Sequence, residues 1–199
     1  MQRAGKRLGL RIARIDRRTL SSDIEMRKLP DGYTVRQLSN TDYEAAVKDA
    51  KLNISAEFVE TARAQGGFCV GAFYAGKLVS YVWRAFGTTQ LEDGFSLVFQ
   101  KPNRYGYKSL TLPDHRGLRL QDIVILFSDG ICIDRGYTCG ISYIETHNYA
   151  SKRSAARRDH EWVGWMVWIS HDRFRWCYAS RGARAIGIEL VDHKSSNGT

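Results

Sequence analysis

Residues Leu110–Gln121 read LTLPDHRGLRLQ. The end of an apolar strand meets Pro113 and passes a His115-Arg116-Gly117 step. Beyond it Leu120, Ile123, Val124, Phe127 and Ile131 recur at steps of three, one, three and four. That spacing gives a helix one apolar face, and Gly136 is placed to end it. A strand that turns into a helix makes a corner with its own chemistry. The first amides of a helix lack backbone partners and carry the positive end of the helix dipole. An anion finds hydrogen bonds and favourable charge there together. Glycine lets it approach the backbone closely, and Arg116 and Arg119 add full charges. The stretch has the physics of a diphosphate cradle. The same residues also suit an ordinary βα loop with exposed arginines.

Upstream, Leu29–Gly32 is a turn and YTVRQL (33–38) a strand. Thr41 to Ala50 is helical, with Thr41 and Glu44 spaced as a capping box, and a second helix runs from Ser55 to Gly66-Gly67. FCVGAFY (68–74) and LVSYVWRAF (78–86) form a hairpin, FSLVFQ (95–100) another strand, and Tyr107–Leu112 the strand that enters the corner. Downstream come a strand over 138–145, a short basic helix over 152–158, a second hairpin over 162–169 and 174–179, and a last strand over 185–191. This order predicts an α/β or α+β domain with a mixed sheet and packed helices.

The 199 residues are 43% hydrophobic and suit one domain, placed at 29–191. A basic arm (1–28) precedes it and a polar tail (192–199) follows. The arm holds nine Lys or Arg against three acids, six of the chain's nine net positive charges. Leu8, Ile12 and Ile15 fall at helical spacing within it. A surface helix on anionic lipid or nucleic acid and a solubilising arm packed on the domain both fit, and the second is favoured. No apolar run approaches the ~20 residues of a membrane span, and no secretory signal is evident. Cys69, Cys132, Cys139 and Cys177 form no CxxC pair and are read as reduced, buried thiols of a cytoplasmic protein. Gly71–Lys77 spells GxxxxGK, but Leu78 follows where a metal-binding hydroxyl is needed, and the match crosses a hairpin. No metal-ligand spacing is present.

The next strand-to-helix junction carries Asn148, with Ser151 three residues later. A βαβ segment with a phosphate-type corner followed by Asn-x-x-Ser resembles the GNAT superfamily of acyl-CoA N-acyltransferases. The likeness covers Tyr33–Trp168 by order of elements, and Leu110–Gln121 and Asn148–Gly164 by motif. The family pattern is Q/R-x-x-G-x-G/A, often after Pro-x-x-Arg-Gly. Pro113, Arg116 and Gly117 match it, while Arg119 and Gln121 stand at the two later small positions.

The resemblance implies a mostly antiparallel sheet with flanking helices and a splayed pair of strands, Tyr107–Leu112 and Thr138–Glu145. It implies a cofactor diphosphate on the amides of Arg116, Gly117, Leu118, Arg119, Leu120 and Gln121. The pantetheine arm would lie along Leu110, Thr111 and Leu112, with Asn148 and Ser151 contacting it. The co-substrate would be acetyl-CoA or another acyl-CoA, with no metal. Attack by an amine on a thioester needs a base, donors for the developing oxyanion, and modest acid help for the thiolate. The family's tyrosine seven residues after the Asn is Ala155 here, and its Gly-Phe is Asp159-His160. Glu145 and His147 are therefore the candidate bases and Tyr149 the substitute acid. A strand-end Glu that pairs with an arginine is the plainer reading of Glu145.

Lys152, Arg153, Arg157 and Arg158 suit a cofactor phosphate, an acidic acceptor or a solvated face. Trp162, Trp165, Trp168, Trp176 and Tyr178 suit core, acceptor pocket or a base-stacking surface. Two functions are compatible with these features. One is an N-acyltransferase acting on a small-molecule amine such as an amino acid or amino sugar, with a homodimer and an anionic contact through the arm as further expectations. The other is a nucleic-acid- or anionic-membrane-binding module on the same fold.

Overall fold

The computed structural model describes residues 9–20, 28–91, 94–156, 158–171 and 174–192. Residues 1–8 and 21–27 of the basic arm, Arg157, and residues 193–199 of the tail lie outside the described residues. In chain order the elements are β1 (Leu10–Thr19), β2 (Tyr33–Gln37), α1 (Asn40–Lys48), α2 (Ala56–Ala64), β3 (Phe68–Tyr74), β4 (Lys77–Ala85), β5 (Thr89–Gln90), β6 (Phe95–Val98) and β7 (Asn103–Thr111). Then come α3 (Leu120–Asp134), β8 (Cys139–Glu145), α4 (Tyr149–Ala156), β9 (Glu161–His171), β10 (Phe174–Ala179), α5 (Arg181–Ala185) and β11 (Glu189–Asp192). The class is mixed α and β, with mostly antiparallel pairing and flanking helices, as the sequence suggests. The chain forms two compact units. One comprises segments 1–19, 87–103 and 139–199, the other 20–86 and 104–138.

In the unit built from 20–86 and 104–138, β2, β3, β4 and β7 pair antiparallel in that order. The central hairpin is buried on both faces, which is why β3 and β4 are almost continuously apolar. Val70, Ala72, Val79 and Val82 pack on Leu120, Val124, Ile125 and Cys132 of α3. On the other face Cys69, Tyr81 and Trp83 pack with Tyr43, Ala46, Val59 and Ala62 of α1 and α2. Trp83 stacks on Tyr43 and meets Phe58 edge-on. The α1 cap is Ser39, not Thr41. Ser39 Oγ accepts from the Asp42 N–H, and Asp42 Oδ2 accepts from the Ser39 N–H at 2.7 Å. Ser39-x-x-Asp42 has the same three-residue spacing as Thr41-x-x-Glu44. Its Asp also grips Arg36, whose guanidinium holds the carboxyl well below the usual carboxylate range.

In the other unit β8, β1, β9 and β10 pair antiparallel in that order. A three-stranded sheet β11-β6-β5 belongs to the same unit. Here the helical reading of Ile12 and Ile15 is corrected, because Leu10–Thr19 is an interior strand. Its arginines have partners in the sheet. Arg11 pairs with Glu145 at 2.7 Å, Arg14 with Asp16, and Arg17 donates to Cys139 Sγ at 2.9 Å. Ala13 and Ile15 point into the core. Two further corrections lie downstream. The basic helix begins three residues early, at Tyr149, and the expected strand over 185–191 splits into α5, capped by Ser180, and the short β11. The four thiols are free, with Cys177 only half-buried.

Asp16 is fully buried and accepts from Arg14 Nε and Nη2 at 3.0 and 2.8 Å. Burial raises its pKa above the ordinary 3.8, and the Arg14 bonds only partly offset this. The folded state therefore holds this proton more tightly than the unfolded chain. The Asp16 contribution to stability is most favourable below about pH 3.8 and is lost as pH rises through the folded value. Urea unfolding of Asp16→Asn should show a flatter pH dependence than wild type above pH 4. Parallel curves would mean that solvent reaches the carboxylate.

Candidate functional site

The corner lies in the unit of β4, β7 and α3. Near its end β7 carries a bulge. Val82 faces Ser109 and Trp83 faces Tyr107, with the extra residue Lys108 at φ +39°. A bulge bends its strand and re-aims the residues beyond it. A lysine gives no warning of one, so the sequence pattern does not reveal it. Past the bulge Leu110 and Thr111 stay paired with Tyr81 and Ser80, and the Leu112 N–H donates to Val79 O at 2.9 Å. Pro113–His115 makes one 3₁₀ turn. His115 Nδ1 lies 2.7 Å from the Tyr33 hydroxyl, and its ring packs on Tyr33 and Tyr74. These contacts fix the loop to the sheet.

Gly117 comes next at φ +83°, and Arg119, the N-cap of α3, at φ +57°. Arg119 O accepts from the N–H groups of Asp122 and Ile123. Among the described residues, no backbone carbonyl accepts from the amides of Gly117, Leu118, Arg119, Leu120 or Gln121. A Cβ placed on Gly117 would meet nothing within 4 Å. These amides thus lack backbone carbonyl partners among the described residues, and the space beside the Gly117 Cα is open. Arg116 folds back so that its Nε donates to Thr111 O at 3.2 Å. Leu118 and Arg119 are exposed, and Leu120 is buried and anchors the helix start.

The two departures from the family pattern are explained locally. At Arg119, where the pattern has glycine, the backbone keeps the left-handed conformation that glycine would supply. At Gln121 the side chain turns inward. Its Oε1 lies 3.2 Å from Thr111 Oγ1 and 3.4 Å from Ser80 Oγ, and its Nε2 donates to Tyr81 O at 3.4 Å. Ser80 and Thr111 are also joined at 2.8 Å. The long side chain ties α3 to β4 and β7. These residues thus fit an anionic diphosphate.

The remaining candidates lie in the unit of β8, β1 and β9. Glu145 ends β8 with its carboxylate between Arg11 Nη1 at 2.7 Å and His147 Nε2 at 3.1 Å. The plainer expectation, a glutamate paired with an arginine, is what the fold contains. His147 is 60% exposed and Tyr149 68%. The Lys152 ammonium lies 5.2 Å from the Tyr149 ring centroid and donates to Thr146 O. Asn148 sits where α4 begins. Its carbonyl accepts from the Lys152 N–H, and its own N–H donates to Glu145 O at 2.9 Å. Ser151 lies within α4. Ala155, at the family's tyrosine position, is buried. Asp159, at the position of the family's glycine, keeps φ +53°. Positive φ without glycine thus occurs at Arg119 and at Asp159, positions where the family pattern has glycine.

No family model and no curated protein matches the sequence. Solved structures do. An acetyltransferase assigned to the GNAT family from Novosphingobium aromaticivorans is similar over 80% of this chain and 65% of its own, at 15% identity and TM-score 0.53. A GCN5-related N-acetyltransferase from Kribbella flavida is similar over 77% and 56%, at 16% identity and TM-score 0.51. The chain thus spans less than two thirds of either protein's length. The aminoglycoside acetyltransferase AAC(6')-Iy, in complex with a CoA-S-monomethyl-acetylneamine bisubstrate analogue, is similar over 65% of this chain and 90% of its own, at 14% identity and TM-score 0.51. The chain has the fold of the GNAT acetyltransferases.

Proposed function

We propose that this chain is an acyl-CoA-dependent N-acyltransferase that moves an acetyl group to the primary amine of a small molecule such as an amino acid or amino sugar. The observation that carries the reading is the corner itself. Gly117 and Arg119 both adopt positive φ, the five successive amides from Gly117 to Gln121 have no backbone carbonyl partner among the described residues, and the space beside Gly117 is open. Backbone donors at a helix start select anions, and the donor diphosphate is an anion. Arg116 and Arg119 add charge. Leu110, Thr111 and Leu112 are assigned to the pantetheine arm, with Asn148 and Ser151. The donor, when bound, supplies the activated thioester. His147 takes the proton of the acceptor ammonium, directly or through water. Glu145, fixed by Arg11, orients the imidazole, and Tyr149 returns a proton to the leaving thiolate. The likeness to AAC(6')-Iy, complexed with an analogue that joins CoA to an aminoglycoside, supports a small amine as acceptor.

Acetyl-CoA at a hundred times its Kd should add about 2.7 kcal/mol to stability. For a chain of this size that raises Tm by roughly 5–10 °C. Gly117→Glu should abolish the rise by putting a carboxylate among the amides. Gly117→Asn accepts the positive φ and adds no charge, so it should retain most of the rise. Failure of every acyl-CoA to stabilise the wild-type chain would overturn the proposal.

A further inference from the structure

The sheet β8-β1-β9-β10 has two unlike faces. One carries Ala13, Ile15, Met166 and Trp168, all buried. Residues two apart on a strand share a face, so the register puts Leu10, Ile12, Trp165, Trp176 and Tyr178 together on the other. There Leu10, Ile12, Trp165 and Trp176 remain 37–44% exposed. Tyr178 lies between the two indoles, 5.3 Å from Trp165 and 6.0 Å from Trp176, with its ring within 6° of parallel to the latter. Trp162 and Phe174 extend the patch at 65% and 55% exposure. At roughly 150–250 Å² per aromatic side chain, this surface shows on the order of 500 Å² of apolar area, the size at which a patch marks an interaction site.

The charge that lies against its rings is positive. The Arg184 guanidinium lies 5.4 Å from the Tyr178 ring centroid. Lys152 and the exposed Arg153 stand on α4 of the same unit. Among the described strand residues of this face the one carboxylate is Asp16, buried and bonded to Arg14. A second copy of the chain would bring the same positive charges against one another. A bilayer favours rings that project singly, whereas Trp165, Tyr178 and Trp176 form one contiguous row of neighbouring rings. Unstacked bases on a phosphate backbone match both the rings and the charge.

We propose that this face binds single-stranded nucleic acid, with bases stacked on Trp165, Trp176 and Tyr178 and phosphates held by Arg184 and its basic neighbours. The proposal is independent of acyl transfer. The test is fluorescence anisotropy with labelled oligo(dT) and oligo(U) about fifteen nucleotides long, within the span one such surface covers, and with a duplex of equal length as comparison. Single strands should bind more tightly than the duplex. If about three phosphates are neutralised, affinity should fall by roughly 20-fold from about 50 to about 200 mM salt. Preference for oligo(U) over oligo(dT) would identify RNA as the source, and the reverse DNA. Trp176→Ala should weaken binding by about tenfold and Trp176→Phe by far less, since the phenyl ring still stacks. Arg184→Glu should weaken it without touching the rings. The acetyl-CoA shift in Tm should survive all three, which separates failure of this proposal from failure of the transferase reading. Equal affinity for duplex and single strands overturns the proposal. So does binding to phosphatidylserine vesicles without oligonucleotide binding, or a dimer in sedimentation that Trp176→Ala dissolves while oligonucleotides fail to bind.

Discussion

Asp129→Ala should destabilise the fold by about 3–5 kcal/mol, the cost of leaving a buried charge without its partner. Asp129 projects from α3 into the same unit's sheet, where it meets two arginines. Arg104 bonds its Oδ1, and Arg84 Nη2 lies 3.5 Å from that oxygen. All three side chains are at most 3% exposed. Arg84 Nε also donates to Ser128 Oγ at 2.9 Å, and that hydroxyl donates to Ile125 O. Gly106 makes room for the cluster, since a Cβ there would come within 2.6 Å of Arg84 Nη1 and 3.0 Å of Arg104 Nη1. Removing the carboxylate leaves two guanidiniums in a site that excludes water. Ser128→Ala removes only a neutral partner and should cost about 1 kcal/mol. Urea midpoints at a constant m-value measure both. A loss under about 1 kcal/mol for Asp129→Ala, the scale of a neutral hydrogen bond, would show that solvent enters and rescues the arginines.

That cluster also shows where sequence pattern stops being informative. The apolar recurrence Leu120, Ile123, Val124, Phe127, Ile131 locates α3 correctly but misjudges its inner face. The buried set includes Ser128 and Asp129, while Phe127 and Ile131 are only partly buried. A polar pair turns inward because two strands present arginines to it, and no local spacing encodes that. The arm fails for the same reason. Leu8, Ile12 and Ile15 have helical spacing, yet 10–19 pairs with β8 and β9 because the acceptors of its arginines lie far along the chain, at Glu145 and Cys139. The β3–β4 hairpin was legible because its turn is local. Ala75 and Gly76 both take positive φ, as a tight hairpin requires. The corner was legible in part. Pro113, Arg116 and Gly117 declare it, whereas the positive φ of Arg119 is hidden behind a residue that rarely adopts it. The inward turn of Gln121 depends on Ser80, 41 residues earlier.

His147→Ala should lower kcat/KM for amine acetylation by about 10²–10⁴-fold, the range of a lost general base, and leave the acetyl-CoA shift in Tm unchanged. The prediction rests on how Glu145 is held. Its carboxylate is already engaged by Arg11 at 2.7 Å and by His147 at 3.1 Å. Both of its oxygens are thus occupied. The imidazole beside it is more than half exposed and can reach an acceptor or a water. Glu145 is then a positioning residue. It accepts from Nε2, which leaves Nδ1 of the neutral ring free to take the proton. Glu145→Gln should lower kcat by about tenfold, far less than His147→Ala, and leave KM little changed, because the imidazole loses the partner that orients it but is itself retained. If Glu145 were purely structural, Glu145→Gln would lower stability and leave kcat unchanged. If instead Glu145→Gln removes activity as fully as His147→Ala, the glutamate is the base and the arginine must release it during turnover.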